Sequence, residues 1–106
     1  MKCSEIITLL EQEYGKEYAC DWDNVGLLAG RRDKEVKKIL LALDATDEVV
    51  GQAAEGAYDM LITHHPMIFG AMKRVTDEDM VGRRLLSLIR SDISYYAMHT
   101  NYDTRG

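Results

Sequence analysis

The sequence is poor in cysteine and proline, and it has no long hydrophobic run. Its 106 residues include two cysteines and one proline. Cys3 and Cys20 could form only a single disulfide bridge, and their separation is not that of a metal-binding cysteine motif. We therefore predict two thiols without a functional role. No apolar stretch approaches the roughly 18 residues of a membrane-spanning helix, so the sequence predicts no membrane segment.

A secretion signal and an excess of positive charge are also missing. The opening residues, MKCSE, lack the apolar core and the cleavage site of a secretory signal, so we expect a cytoplasmic protein. The net charge is −5. The basic pairs Arg31-Arg32 and Arg83-Arg84 have acidic residues close by in the sequence, whereas phosphate binding requires clustered Lys and Arg. We therefore expect no nucleic-acid partner.

Two common groups of catalytic motifs are absent as well. Gly26 and Gly30 do not form a Walker loop or a dinucleotide-binding fingerprint. No Ser or Cys lies in a nucleophile-elbow sequence. These classes of enzyme are therefore not indicated.

Apolar and charged residues make up 46% and 29% of the chain, a balance typical of one small globular domain. Periodic apolar residues predict three helices. The first covers residues 4–14 with Ser4 as its N-cap, the second follows Thr46, and the third begins with a segment like a capping box at residues 76–79. The predicted inner faces comprise Ile6, Leu9, Leu10 and Tyr14, then Val49, Val50, Ala53, Ala54 and Ala57, and finally Val81, Leu85, Leu88 and Ile89.

Extended runs alternate with these helices. A turn and a short apolar strand occupy residues 22–30, and further strands are predicted at 37–44, 60–63 and 93–98. The run at 37–44 does not alternate between apolar and polar residues, which predicts a strand covered on both faces. The order of strands and helices predicts right-handed βαβ crossovers and an α/β fold with a mainly parallel sheet.

Polar residues follow three of these strands at their carboxyl ends. They are Asp44, the segment Thr63-His64-His65, and the segment His99–Asp103, which together contain all three histidines of the chain. Ligands of open α/β sheets bind beyond the carboxyl ends of the strands, so we expect these side chains at a common edge. Imidazole nitrogens and carboxylate oxygens together suit zinc, iron or manganese.

The histidine pair stands directly before the single proline. Pro66 favours a turn there, and a turning backbone would let His64 and His65 address neighbouring metal ions. Asp103 could reach the same ions from the adjacent strand, where it would bridge two cations or bind one. The alternative is an ordinary turn whose imidazoles are hydrogen-bonded or exposed.

Two further residues at this edge have alternative roles. Asp44 either stands at the start of a helix or hydrogen-bonds to a metal ligand, and both roles are favoured over direct ligation. His99 hydrogen-bonds to a metal ligand, or faces a substrate, which makes it a candidate catalytic residue, or is a buried, hydrogen-bonded histidine.

Four motifs in order resemble those of the Nif-three-like family of dinuclear metal-centre proteins, also called GTP cyclohydrolase type I homologues. The motifs are WDNVGLL at 22–28, LDAT at 43–46, ITHHPMIF at 62–69 and HTNYD at 99–103. The sequence departs from the family pattern at Tyr102, where we expect Leu. The resemblance implies that His64, His65 and Asp103 are ligands of two divalent metal ions, which are zinc, iron or manganese.

The resemblance also carries expectations about the whole protein. It implies a three-layer α/β/α fold with a mainly parallel or mixed sheet, in which residues 1–106 form the amino-terminal lobe of a two-lobed protein. The family completes its metal site with a His and a Glu from a later segment, which these 106 residues do not contain. Family members commonly assemble into hexameric rings, so the resemblance implies a homo-oligomer.

Two functions remain open from the sequence. One is a metal-dependent hydrolase that acts on a nucleotide or another heterocycle, with His99 relaying a proton and with little activity in these residues alone. The other is a metal-binding regulatory or protein-interaction module without turnover. An open coordination position beside a substrate-sized pocket would distinguish the enzyme from the module.

Overall fold

The protein is described by a computed structural model over residues 1–13, 25–67 and 72–98. These residues form helices and strands in the alternating order that the sequence predicts. The elements are α1 (Cys3–Glu13), β1 (Gly26–Ala29), β2 (Ile39–Ala42), α2 (Asp47–Glu55), β3 (Met60–Thr63), α3 (Met80–Arg90) and β4 (Ser94–Ala97).

The strands form one mixed sheet in the order β1-β4-β3-β2. Strands β2, β3 and β4 are parallel, and β1 pairs with β4 in the antiparallel direction. In the parallel part, Ile62 stands between Leu41 and Tyr96. The predicted α/β fold with a mainly parallel or mixed sheet is confirmed.

Helices cover both faces of this sheet. On one face, Ile7 of α1 packs in a cluster with Met60, Ile62 and Tyr96. On the other face α2 and α3 pack together, and their buried residues join those of β3 and β4: Val50, Ala53, Leu61, Leu88, Tyr95 and Ala97. The result is the three-layer arrangement that the resemblance implies. Among the described residues, none of the helices has the length and apolar character needed to cross a bilayer.

Strand β2 differs from its prediction in burial. The sequence predicts a strand covered on both faces, but the side chains of Leu41 and Leu43 are 71% and 67% exposed. That prediction is wrong because β2 is an edge strand of the described sheet. The buried strand residues of the cluster around α1 belong to β3 and β4, and the cluster does not extend to Leu41.

The helix boundaries confirm one predicted cap and correct two. Thr46 caps α2, since its side chain accepts a hydrogen bond from the amide of Val49. Ser4 lies inside α1, which begins at Cys3. The N-cap of α3 is Asp79 rather than Thr76, because the Thr76 hydroxyl accepts a hydrogen bond from the amide of Glu78 in the preceding turn.

Three positions predicted to lie on inner helix faces are exposed in the structure, and one predicted thiol is confirmed. Leu9 of α1 is 53% exposed. Ala57 follows the end of α2 with a positive φ of 54° and is exposed, so it is not part of the inner face. Ile89 is 53% exposed on α3. Cys3 is a buried free thiol, as predicted, whereas Cys20 lies outside the described residues.

A carboxylate at the amino end of β3 ties it to the segment before β2. Asp59 Oδ2 accepts hydrogen bonds from the amides of Lys37 and Lys38 at 2.9 and 3.0 Å. These bonds, chiefly the one from Lys37, hold the pKa of Asp59 below its ordinary value, and the ammonium of Lys34 acts in the same direction. The stabilisation from this carboxylate is complete above the ordinary pKa of 3.8 and is lost as the pH falls through the lowered folded-state pKa.

We expect Asp59→Asn to reduce the free energy of unfolding by about 2 kcal/mol at neutral pH, because two hydrogen bonds to an ionised acceptor are replaced by weaker bonds to a neutral amide oxygen. The difference from the parent should shrink as the pH falls below 3.8, where the parent carboxylate also takes up a proton. Urea denaturation of both proteins over this pH range measures it. A difference that does not depend on pH would contradict the assignment.

Candidate metal centre

Two histidines leave the carboxyl end of β3 on a backbone that stays hydrogen-bonded to its neighbours. The amides of His64 and His65 donate to the carbonyls of Ala42 and Leu43 at 3.2 and 2.9 Å. On the other side, the amide of Met98 donates to the carbonyl of Thr63 at 3.1 Å. The sheet therefore fixes the positions from which both imidazoles project.

The two imidazoles lie side by side, with ring centroids 4.8 Å apart and planes tilted by 48°. His65 Nδ1 is 2.7 Å from Asp44 Oδ1, and His64 Nδ1 is 3.2 Å from the carbonyl oxygen of Met98. A carbonyl and an ionised carboxylate only accept hydrogen bonds, so each Nδ1 is the donor. A neutral imidazole with its hydrogen on Nδ1 has its lone pair on Nε2, which is the atom that can bind a cation.

Two buried hydroxyl groups, those of Thr63 and Tyr95, form hydrogen bonds to the turn after the histidines. The amide of Met67 donates to Tyr95 Oη at 3.0 Å, and Tyr95 Oη is 2.8 Å from Thr63 Oγ1. Thr63 Oγ1 in turn donates to the carbonyl of His65 at 2.8 Å. Thr63 donates its single hydroxyl hydrogen to His65, so Tyr95 donates to Thr63. Burial raises the pKa of the Tyr95 phenol, which keeps that hydrogen in place. This chain of hydrogen bonds connects the two ends of the turn.

The supporting role of Tyr95 is not visible in the sequence. An aromatic residue in a buried strand is usually a core residue, and its hydroxyl reaches the turn only because β4 lies beside β3. Thr63 belongs to the predicted polar cluster, but no sequence pattern indicates its hydrogen bond to the carbonyl of His65. The one available signal is that a buried tyrosine needs a hydrogen-bond partner.

An open apolar depression adjoins His64. Its volume is about 410 Å³, and it lies on the sheet face that carries α1. Apolar side chains from three neighbouring segments form most of its wall. The lining residues are Leu41, Ala42, Leu43, Ile62, Thr63, His64 and Met98.

The predicted site is brought together in part. His64, His65 and Asp44 meet at the carboxyl edge of the sheet, and the hydrogen bond from His65 to Asp44 matches one of the roles expected for that carboxylate. Asp103 and His99 lie outside the described residues. Within 1–13, 25–67 and 72–98, no group of three or more His, Cys, Asp or Glu side chains is arranged to hold a metal ion.

Comparison with known proteins identifies relatives along the whole sequence. The family model described as Duf34/NIF3 (NGG1p interacting factor 3) matches residues 1–106. The chain is 41% identical over 104 residues to a Clostridium perfringens protein named GTP cyclohydrolase 1 type 2 homolog, and the match covers 98% of this chain and 40% of that one. A Staphylococcus aureus protein of the same name is 47% identical over 105 residues, covering 97% of this chain and 28% of that one.

A solved structure shows the same fold. The crystal structure of Staphylococcus aureus protein SA1388 superposes with a TM-score of 0.91 at 44% identity, covering 97% of this chain and 33% of that one. The chain thus spans 28–40% of the length of these two curated relatives. Because the family model matches every residue and the fold agrees, the chain belongs to the DUF34/NIF3 family.

Proposed function

We propose that His64 and His65, together with Asp103, bind two divalent metal ions in a metal-dependent hydrolase of the cyclohydrolase type. Zinc, iron and manganese suit this combination of imidazole and carboxylate ligands. The observation that carries the proposal is the position of the Nδ1 atom of each ring against an oxygen acceptor. Each has its Nδ1 directed at an oxygen acceptor, so that Nε2 of each ring has the lone pair needed for metal binding.

The residues present fit such a site in three respects. The two rings are adjacent, the sheet fixes their backbone, and an oxygen acceptor sets the tautomer of each. Divalent ions bound there would lower the pKa of a coordinated water and polarise the bond to be hydrolysed. In this proposal His99, which follows β4 in the sequence, passes a proton between the substrate and solvent.

The apolar depression beside His64 supports a heterocyclic substrate. Apolar walls formed by Leu41, Ile62 and Met98 suit contact with the flat face of a ring system. The relatives named GTP cyclohydrolase 1 type 2 homolog agree with a nucleotide or a similar heterocycle. We therefore propose hydrolysis of a ring or an exocyclic bond in such a compound.

The whole protein's activity and assembly form part of the same proposal. These 106 residues correspond to 28% and 33% of the length of the two Staphylococcus aureus proteins. The family resemblance implies further ligands from a later segment. We expect the residues alone to bind metal weakly and to show little turnover. The exposed Leu41 and Leu43 at the sheet edge favour self-association, which agrees with the homo-oligomer implied by the resemblance.

Metal binding tests the proposal directly. The metal-free chain is dialysed against Zn²⁺, and the bound metal is counted by elemental mass spectrometry for the parent and for His64→Ala. We expect bound zinc in the parent and a loss of about tenfold or more in affinity for the variant, because one ligand is removed. Circular dichroism of both proteins checks that the fold is retained.

A matched control is provided by the third histidine. His99→Ala should retain the metal, because the proposal gives His99 a role in proton transfer and not in ligation. Equal zinc binding by the parent and His64→Ala would contradict the proposal, as would the absence of zinc from a longer form that has the later segment. Metal binding without turnover of any nucleotide, in a longer form that has the later segment, would favour the non-catalytic module.

A further inference from the structure

We infer that Asp44 is a positioning residue that fixes the tautomer and the orientation of the His65 ring. The consequence for metal affinity rests on the proposed function. The effect on the tautomer does not, because it can be measured in the metal-free protein.

Asp44 and His65 are brought together by the pairing of two strands. β2 and β3 run in parallel, and the pairing continues past their ends through the amide of His65, which donates to the carbonyl of Leu43 at 2.9 Å. The next residue along the chain is Asp44, and its Oδ1 lies 2.7 Å from His65 Nδ1. His65 is thus held both at its backbone and at its ring by consecutive residues of one segment.

The carboxylate of Asp44 is not needed to start α2. Thr46 caps that helix with its own side chain. The next acidic residue, Asp47, bonds Nε of Arg84 at 2.8 Å, which holds the pKa of its carboxyl below the ordinary value. The carboxylate of Asp44 therefore contacts a histidine ring, whereas that of Asp47 contacts an arginine.

Two physical effects follow from this contact. The carboxylate accepts the Nδ1 hydrogen, which keeps that hydrogen off Nε2 and fixes the rotation of the ring. Its negative charge also makes the imidazole a stronger electron-pair donor at Nε2. His64 has a neutral carbonyl acceptor, Met98 O, at the longer distance of 3.2 Å. At Nδ1 the two rings therefore differ, because His65 faces a charged acceptor and His64 faces a neutral one.

The test combines nitrogen NMR with a metal titration. Chemical shifts of ¹⁵N in the two rings are measured in the metal-free parent, Asp44→Ala, Asp44→Asn and Asp47→Asn, at alkaline pH where imidazoles are neutral. We expect His65 of the parent to have its hydrogen on Nδ1 and Asp44→Ala to show a mixture of tautomers. The amide oxygen of Asp44→Asn can still accept the bond, so this variant should restore part of the Nδ1–H form. His64 is the internal reference and should not change.

Zinc affinity is then measured by competition with a chelator. We expect a loss of about 10- to 100-fold in Asp44→Ala and no comparable loss in Asp47→Asn, which also removes one negative charge, three residues away. A parent His65 with its hydrogen on Nε2 would overturn the inference, and so would a His65 tautomer that is the same in Asp44→Ala. If no variant and no parent binds zinc but the tautomer shifts as expected, the positioning role stands, and the proposed metal site fails if a longer form that has the later segment also binds none.

Discussion

Replacement of Gly82 by alanine is expected to reduce the free energy of unfolding by more than about 3 kcal/mol, a large share of the stability of a small domain. Gly82 lies in the first turn of α3. An added Cβ would stand 2.0 Å from the carbonyl oxygen of Thr76 and 3.0 Å from Asp79 Oδ1. The first contact is with backbone, and the second is with the N-cap that accepts the amide hydrogen of Gly82 at 2.7 Å.

The chain cannot relieve this overlap cheaply. A shift of the backbone at Thr76 would disturb the segment that leads into α3, and a shift of Asp79 would remove the cap. Alanine is favoured over glycine inside a helix by only about 1 kcal/mol, which is too little to offset the overlap. Urea or thermal denaturation of Gly82→Ala measures the loss.

Gly51 in α2 provides the matched control. A Cβ added there meets nothing within 4 Å. Gly51→Ala should therefore raise the free energy of unfolding by about 0.5–1 kcal/mol through the lower backbone entropy of the unfolded chain. If the two substitutions had the same effect, the close packing at Gly82 would be disproved.

The second large effect is expected from Tyr95→Phe. The phenylalanine ring would fill the same space, but the amide of Met67 and the hydroxyl of Thr63 would lose their buried partner. Leaving the amide of Met67 unsatisfied costs about 1–3 kcal/mol, and Thr63 loses one of its two hydrogen bonds at a cost of about 1 kcal/mol. We therefore expect a total loss of about 2–4 kcal/mol in stability. The turn that positions His65 would also loosen, and we expect zinc affinity to fall by about tenfold.

Tyr96→Phe is the control for this prediction. The hydroxyl of Tyr96 lies at 3.3 Å from Glu11 Oε2, on the opposite face of the sheet from Tyr95. Its removal should cost no more than about 1 kcal/mol and should leave zinc binding unchanged. Chemical denaturation and chelator competition compare the two variants. Equal losses of zinc affinity in both variants would show that the hydrogen bonds of the Tyr95 hydroxyl do not position His65.

Patterns of neighbouring residues predicted most of the fold correctly. The strand at 60–63 and the helix capped by Thr46 have the predicted positions because apolar periodicity and capping act within a few residues. The cap of α3 was misplaced because Thr76 and Asp79 can both accept backbone hydrogen bonds. In the structure Asp79 accepts the amide hydrogen of Gly82 and begins the helix, and the missing Cβ of Gly82 leaves room for the carbonyl of Thr76.

The burial of β2 could not be read from its sequence. An apolar run such as Ile39–Ala42 is compatible with a central strand or with an edge strand that has an exposed apolar face. Whether β2 is buried depends on its place in the strand order and on which strands α1 covers. Both depend on residues far away in the chain.

The sequence by itself determined which side chains reach the carboxyl edge of the sheet. Asp44 and the His64-His65 pair follow apolar strands, and parallel strands must end at the same edge. Only the tertiary structure decided how they are used. The contact of His65 with Asp44, that of His64 with the Met98 carbonyl and the hydroxyls of Thr63 and Tyr95 all join residues on different strands. Their geometry depends on strand register and packing, which local sequence patterns do not contain.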